Sequence, residues 1–256
     1  MNVIIEPDPN KGSDLAAEMV AARVRARPST VLGLATGGTP RAMYRRLIEM
    51  HRLEGLDFGQ VTTFNPDEFV GVPREHPASW RAYMQKEVFG SLNLSATRAH
   101  VPDGNARDLD AMMCAYARAI EMAGGIDLQI IGVGGDGHIA ANDPGASLAS
   151  RMRKVVITLN KRGYLADVFG GADKIPRFAV TLGLADFLDS KHAIVLAFGA
   201  SKAEVVAQMV EGPVTAMVPA SVLQMHPSVD VIVDEAAAAG LRNADYYREA
   251  RRRARG

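Results

Sequence analysis

LQIIGVGGDGHIAANDPGASLASR, residues 128–151, is the stretch from which the fold can be read. It begins as a short apolar run, Leu128 to Val133, of the kind that forms a buried strand, and then breaks into a glycine-rich turn carrying Asp136 and His138. Asp143 follows, ahead of Pro144. Two carboxylates and an imidazole just past an apolar strand sit where open α/β sheets place their chemistry. The stretch therefore reads as one strand of a parallel sheet and as the candidate active site.

Further strands appear on either side of this stretch. Asn2–Glu6, Thr30–Ala35, Gln60–Asn65, Ala193–Phe198 and Val229–Val233 are apolar strand-like runs, and Lys154–Thr158 is a weaker one. Helical spacing lies between them: a helix capped by Ser13 and ending before Pro28, one from Pro40 through Met50, and one over Ser79–Phe89. Asp108–Ala123 is helical until Gly124-Gly125 stops it, Ser201-Lys202 opens a helix through Val210, and a last one runs from about Glu235 into the arginine-rich tail. Strand–helix alternation predicts an α/β fold, a doubly wound and mostly parallel sheet with helices on both faces. No repeat or linker divides the chain, so a single domain over 1–256 is expected, with a mobile lid in the irregular, glycine-containing segment Asn160–Arg177.

The bulk composition narrows the function. Of 256 residues, 48% are hydrophobic and 23% charged, which is ordinary for a soluble globular protein. Formal net charge is zero, which argues against nucleic acid or an anionic membrane as partner. The lone Cys114 excludes an internal disulfide, and neither a membrane-length apolar run nor a signal-peptide pattern is present. A cytoplasmic protein is expected.

Gly132–Gly137 matches the G-x-G-x-x-G dinucleotide pattern literally, but Asp136 would oppose a pyrophosphate and the acid expected for the ribose is missing. The glycines, Gly137 among them, have a better use: they let backbone approach a ligand closely and expose Asp136 and His138. Histidine moves protons near neutral pH, and a carboxylate partner fixes its tautomer. A metal site is a rival, but no second histidine or cysteine clusters here. A solvated turn capped by its own aspartates is the bland alternative.

Thr36-Gly37-Gly38-Thr39 lies at a strand-to-helix junction, where amides and hydroxyls can receive an anion, though no Lys-Ser/Thr follows as in a P-loop. A second junction supplies Lys202, and together they suit a phosphate monoester. Asp67-Glu68 follows the strand ending at Asn65; a general base belongs at this edge, and Phe64 and Phe69 flank the pair to desolvate it. The remaining histidines, the methionines, Trp80 and Cys114 read as structure, and the arginine tail as a solvated helix end.

LGLATGGTP (Leu32–Pro40), TFNPDEFVGVPREHPAS (Thr63–Ser79), GVGGDGHIAANDP (Gly132–Pro144), SLASRMR, FGASKA and VPASVLQMHP occur in order along the chain. With these motifs the sequence resembles the glucosamine-6-phosphate deaminase (isomerase) family over essentially its whole length. The resemblance implies a ribose-5-phosphate isomerase-like sandwich. It also implies conversion of glucosamine 6-phosphate and water to fructose 6-phosphate and ammonia, with no metal or organic cofactor. Carried over by motif, Asp67 is the base moving a proton between C2 and C1. His138 is the ring-opening histidine, oriented by Asp136 and Asp143, while Thr36–Thr39 and Lys202 hold the phosphate. The partner implied is a small sugar phosphate, and family members often assemble, although no interface stripe stands out here.

The chain departs from the family at three places. Asp143 replaces the usual Glu, and the stretch Leu165–Phe169 has an acid or an apolar residue where the family's lid has a phosphate-gripping arginine. At the family's regulatory amino-sugar-phosphate site Arg153 is kept, but Ala146 and Val155 replace a serine and a lysine. Four activities stay open on these grounds. They are the deaminase itself, the same chemistry on galactosamine 6-phosphate or isomerisation without deamination, a sugar-phosphate lactonase, and a non-catalytic sensor.

Overall fold

The computed structural model describes residues 1–157 and 165–255. Its centre is a seven-stranded sheet: β1 (Asn2–Glu6), β2 (Val31–Gly33), β3 (Thr62–Phe64), β5 (Ala99–His100), β6 (Leu128–Gly132), β9 (Ala193–Ala197) and β10 (Val229–Asp234). The spatial order is β1-β10-β9-β6-β2-β3-β5, and every pair is parallel. The expected doubly wound α/β sheet is therefore present.

Both faces of this sheet are apolar because its central strands carry mostly hydrophobic side chains, and successive side chains point to opposite sides. Ile130, Ile194, Leu196 and Ile232 pack into one core with Ala17, Val20 and Val24 of α1 (Pro9–Ala26) and Met43 and Leu47 of α2 (Arg41–Glu54). Their sequence neighbours Ile131, Val195, Val231 and Val233 face the other core. There they meet Tyr116 of α4 (Leu109–Met122) and Val205, Val206 and Met209 of α6 (Ala203–Glu211). Each such fully buried aliphatic side chain contributes about 1.5–3 kcal/mol relative to solvent exposure.

A second, three-stranded sheet escaped the sequence reading. β4 (Asp67–Phe69) and β7 (Arg153–Val156) both pair antiparallel with β8 (Phe178–Thr181). The strand expected over Lys154–Thr158 therefore belongs to this small sheet and not to the parallel one. Under it lies a third core of Phe69, Val72, Ile157, Leu165, Phe169 and Ile175. α3 (Trp80–Glu87) flanks it, and a short α5 (Leu184–Leu188) follows β8.

Of the lid expected over Asn160–Arg177, residues 160–164 lie outside the described residues. Beyond them the chain is helical over 165–169, and Phe169 meets Phe69 edge-on at 5.2 Å and stacks on His76 at 5.7 Å. This part of the segment is held by a core.

Two boundaries differ from expectation for local reasons. Asp8, not Ser13, caps α1: its carboxylate accepts from Asn10 N at 2.8 Å and Lys11 N at 2.9 Å, with Pro9 in the first helical turn. Ser13 lies inside the helix and donates to Pro9 O at 2.7 Å. The last helix is in two pieces, α7 (Glu235–Ala238) and α8 (Ala244–Arg255), because Asp234 caps the first and Leu241 turns back into the core between them. Among the described residues no helix is long and apolar enough to cross a membrane.

Candidate active site

A cavity of about 490 Å³ opens at the carboxyl edge of the parallel sheet. Four strand ends supply its polar wall: Thr36–Thr39 after β2, Asp67 after β3, Gly134–Asp136 with His138 after β6, and Lys202 after β9. Phe69, Trp80, Ile157 and Leu165, from the small sheet and its core, supply an apolar wall opposite. An aqueous mouth with one polar and one apolar side is the ordinary form of a small-molecule site.

The histidine turn is built by contacts among its own backbone. After β6 the described residues from Val133 to Met152 form turns and a bridge between Ile139 and Asn142 rather than a helix, which removes the dinucleotide reading. Gly134 N donates to His138 O at 3.0 Å, folding the imidazole back over the turn. A Cβ on Gly134 would lie 2.1 Å from His138 Nδ1, so only glycine leaves room for the ring. Asp136 Oδ1 accepts from the His138 amide at 3.1 Å and meets Nδ1 at 2.6 Å. Burial pushes the Asp136 carboxyl up, but the charge His138 carries when protonated, together with its backbone and ring N–H groups, overcomes this and holds it below the ordinary range. An ionised Asp136 can only accept, so Nδ1 carries the proton and Nε2 is left as the basic atom.

Asp143 stands close to this pair. Ligand-capable atoms of Asp136, His138 and Asp143 all lie within 4.8 Å of one another. Such a trio can share a proton or hold a cation; the 2.6 Å Asp136–His138 bond commits one atom of each to the proton network. Gly137 departs from expectation. It does not line the cavity; with φ +84° it makes the turn, and its α-carbon faces Val218. Its contribution is to the shape of the loop.

Asp67 is buried on β4, at 7% exposure, and lines the cavity. The desolvation expected from its neighbours is present, with a redistribution: Phe69 and the supposedly structural Trp80 form the apolar wall, while Phe64 stacks on His100 at 4.6 Å in another core. Glu68 is buried too but lies outside the cavity.

The Thr36–Thr39 turn leads into α2, whose N-cap, Pro40, offers no side-chain bond to the helix amides. Lys202 reaches from the other helix start, donating to Val133 O at 2.8 Å; burial lowers its pKa from the ordinary lysine value. Helix-start amides and a lysine on one wall make an anion site. Asp167, the acid in the stretch that resembles the family's lid, is exposed and does not line this wall.

One polar side chain that sequence reasoning passed over ties the site together. Asn142, fully buried, donates from Nδ2 to Ile139 O at 3.1 Å and to Leu182 O at 2.8 Å. A neutral amide beside an aspartate carries no signal in the chain itself.

Fold and site together define an α/β protein with a small-molecule cavity at the carboxyl ends of its parallel strands. The chain belongs to the glucosamine-6-phosphate isomerases/6-phosphogluconolactonase family, whose sequence model matches residues 10–232. It is 46% identical over 248 residues to a glucosamine-6-phosphate deaminase of Arthrobacter sp. (strain FB24), covering 97% of this chain and 95% of the relative. The deaminase of Mycolicibacterium smegmatis is 45% identical over 250 residues, covering 97% and 96% of the two chains. A solved monomeric glucosamine-6-phosphate deaminase superposes with TM-score 0.90 at 38% identity, covering 94% of this chain and all of that one. The 6-phosphogluconolactonase of Trypanosoma brucei, with TM-score 0.73 and 20% identity, shares the fold.

Proposed function

We propose that this protein is a glucosamine-6-phosphate deaminase, converting glucosamine 6-phosphate and water to fructose 6-phosphate and ammonia. The observation that carries the reading is the single cavity shared by Asp67, the Asp136–His138 pair, the Thr36–Thr39 turn and Lys202. High identity to deaminases along nearly the full length favours this chemistry over lactone hydrolysis.

The phosphate sits on the Thr36–Thr39 amides and Lys202, placing the sugar ring between Asp67 and His138. His138 Nε2 takes the proton of the C1 hydroxyl and returns it to the ring oxygen, breaking the C1–ring-oxygen bond. Asp136 and Asp143 hold the imidazole and stabilise the imidazolium formed in passing. Asp67 then removes the C2 proton as the aldehyde oxygen O1 takes a proton from water, giving an enolamine; Asp67 delivers its proton to C1 while the nitrogen returns one to water, leaving an imine at C2. Water adds at C2 and ammonia departs. Every step moves protons, water or ammonia, so these side chains suffice without metal or organic cofactor, acting as one domain in the cytoplasm.

Ammonia release across a panel of hexosamine phosphates tests the reading. Release from glucosamine 6-phosphate with stoichiometric fructose 6-phosphate is expected. Preference for galactosamine 6-phosphate, or a ketose product without ammonia, reassigns the substrate or the reaction. Thermal stabilisation by these sugars with no turnover makes the protein a sensor.

A further inference from the structure

Asp67 and Glu68 are neighbours on one strand, so their side chains leave it on opposite sides. Asp67 enters the cavity. Glu68, at 4% exposure, turns to the start of α3: Oε1 accepts from Phe69 N at 2.8 Å and Trp80 N at 3.0 Å, and Oε2 from Arg81 N at 2.9 Å. Ser79 completes the helix start, its Oγ accepting from Ala82 N and its carbonyl from Tyr83 N, both at 3.0 Å. The opening amides of α3 are thereby satisfied by groups that also fix it to the Asp67 strand.

One turn further along the same helix, the Tyr83 hydroxyl donates to Gly37 O at 2.5 Å, within the Thr36–Thr39 turn. The Arg41 guanidinium covers the Tyr83 ring at 5.4 Å from its centroid, and Trp80 stands edge-on to it at 5.9 Å. Two of the four polar parts of the proposed site, Asp67 and the Thr36–Thr39 turn, are therefore linked through the first turn of one short helix. A buried carboxylate is an expensive cap, and Ser79 alone would start a helix. What the carboxylate adds is a tie between α3 and the residue beside Asp67.

We propose that Glu68 is a positioning residue: through α3 and the Tyr83–Gly37 hydrogen bond it sets the spacing between the Asp67 carboxylate and the phosphate turn. The sugar is tethered by its phosphate at C6 while the proton moves at C2 and C1, so this spacing decides whether the base meets the right carbon. The inference rests on the deaminase reading. It predicts that loosening α3 at Glu68 lowers kcat without weakening anion binding, because the Thr36–Thr39 amides and Lys202 that receive the anion are not substituted.

The test compares wild type, Glu68→Gln, Tyr83→Phe and the double variant by ammonia release, by inhibition with inorganic phosphate, and by thermal unfolding. Glu68→Gln is expected to lose at least about tenfold in kcat, as a misplacement on the order of 1 Å does. Its inhibition constant for phosphate should stay within about twofold of wild type. Two changes that act through one helix should combine less than multiplicatively in the double variant. A Glu68→Gln enzyme with near-normal kcat, or fully multiplicative losses, overturns the proposal. If Glu68→Gln does not fold, Tyr83→Phe decides alone: a lowered kcat at unchanged melting temperature supports the spacer, and an unchanged kcat sinks it. Wild-type protein releasing no ammonia is the distinct result that defeats the deaminase reading itself.

Discussion

Asn142 Nδ2 donates to Leu182 O at 2.8 Å, while the amide of Leu182 donates to Pro66 O at 2.7 Å. One residue at the end of β8 thus holds both the loop before Asp143 and the strand that begins with Asp67. Thr181 reinforces it, pairing with Asp67 across the small sheet and receiving Ala141 N on its hydroxyl at 3.3 Å. Asn142→Ala removes one of two donors from each of the Ile139 and Leu182 carbonyls, which keep the residue-142 amide and the Thr181 hydroxyl, and should cost about 0.5–1.5 kcal/mol in urea unfolding. The same change should lower kcat, because it loosens the histidine loop against the base. A variant as stable as wild type would show the amide to be dispensable.

Asp67→Asn should reduce kcat by at least about a hundredfold while KM changes little, since the carboxylate acts on a proton in flight and the phosphate holds the substrate. Steady-state kinetics decide it. Near-normal turnover moves the base elsewhere.

Gly134→Ala should displace the imidazole, because the new methyl would occupy the space 2.1 Å from Nδ1. With a side chain 30% exposed, the ring can swing outward, so the fold should survive while kcat falls by roughly a hundredfold. An unaltered histidine titration by NMR in the variant would contradict this.

Lys202 makes binding depend on pH. Burial lowers its pKa, so its charge is lost as pH rises through a value below the ordinary lysine figure of about 10.4. KM for the phosphorylated sugar should therefore climb on the alkaline side earlier than an exposed lysine would make it, and the climb should vanish in Lys202→Met. A KM profile shared by both proteins would remove Lys202 from the anion site.

Glu68 makes stability depend on pH with the opposite sign from a salt-bridged acid. Burial raises its pKa in the fold despite three amide bonds, so the folded state holds the proton more tightly than the unfolded chain. The stabilisation is complete below the unfolded value of about 4.3 and is lost as pH rises through the raised folded value. The melting temperature of wild type minus that of Glu68→Gln should accordingly fall across that window. A difference flat in pH would show that Glu68 titrates as an ordinary carboxylate.

The sequence by itself carried the parallel sheet, because its strands are apolar runs whose side chains must be covered on both faces, and period and composition record that directly. It also carried the polar wall of the site: glycine turns at strand ends have few uses, and Asp136-x-His138, Thr36–Thr39 and Asp67 all fall at such ends. The small antiparallel sheet was illegible, since Asp67–Phe69 is three residues long and becomes a strand only by pairing with β8, more than a hundred positions away. Tertiary structure alone decided that Glu68 faces a helix start while Asp67 faces the cavity. It alone set Trp80 and Leu165 in the cavity wall, moved Gly137 out of it, and made Asn142 the tie between two loops. Each of these depends on which distant backbone amide or carbonyl arrives at a given side chain, and local pattern holds no record of that.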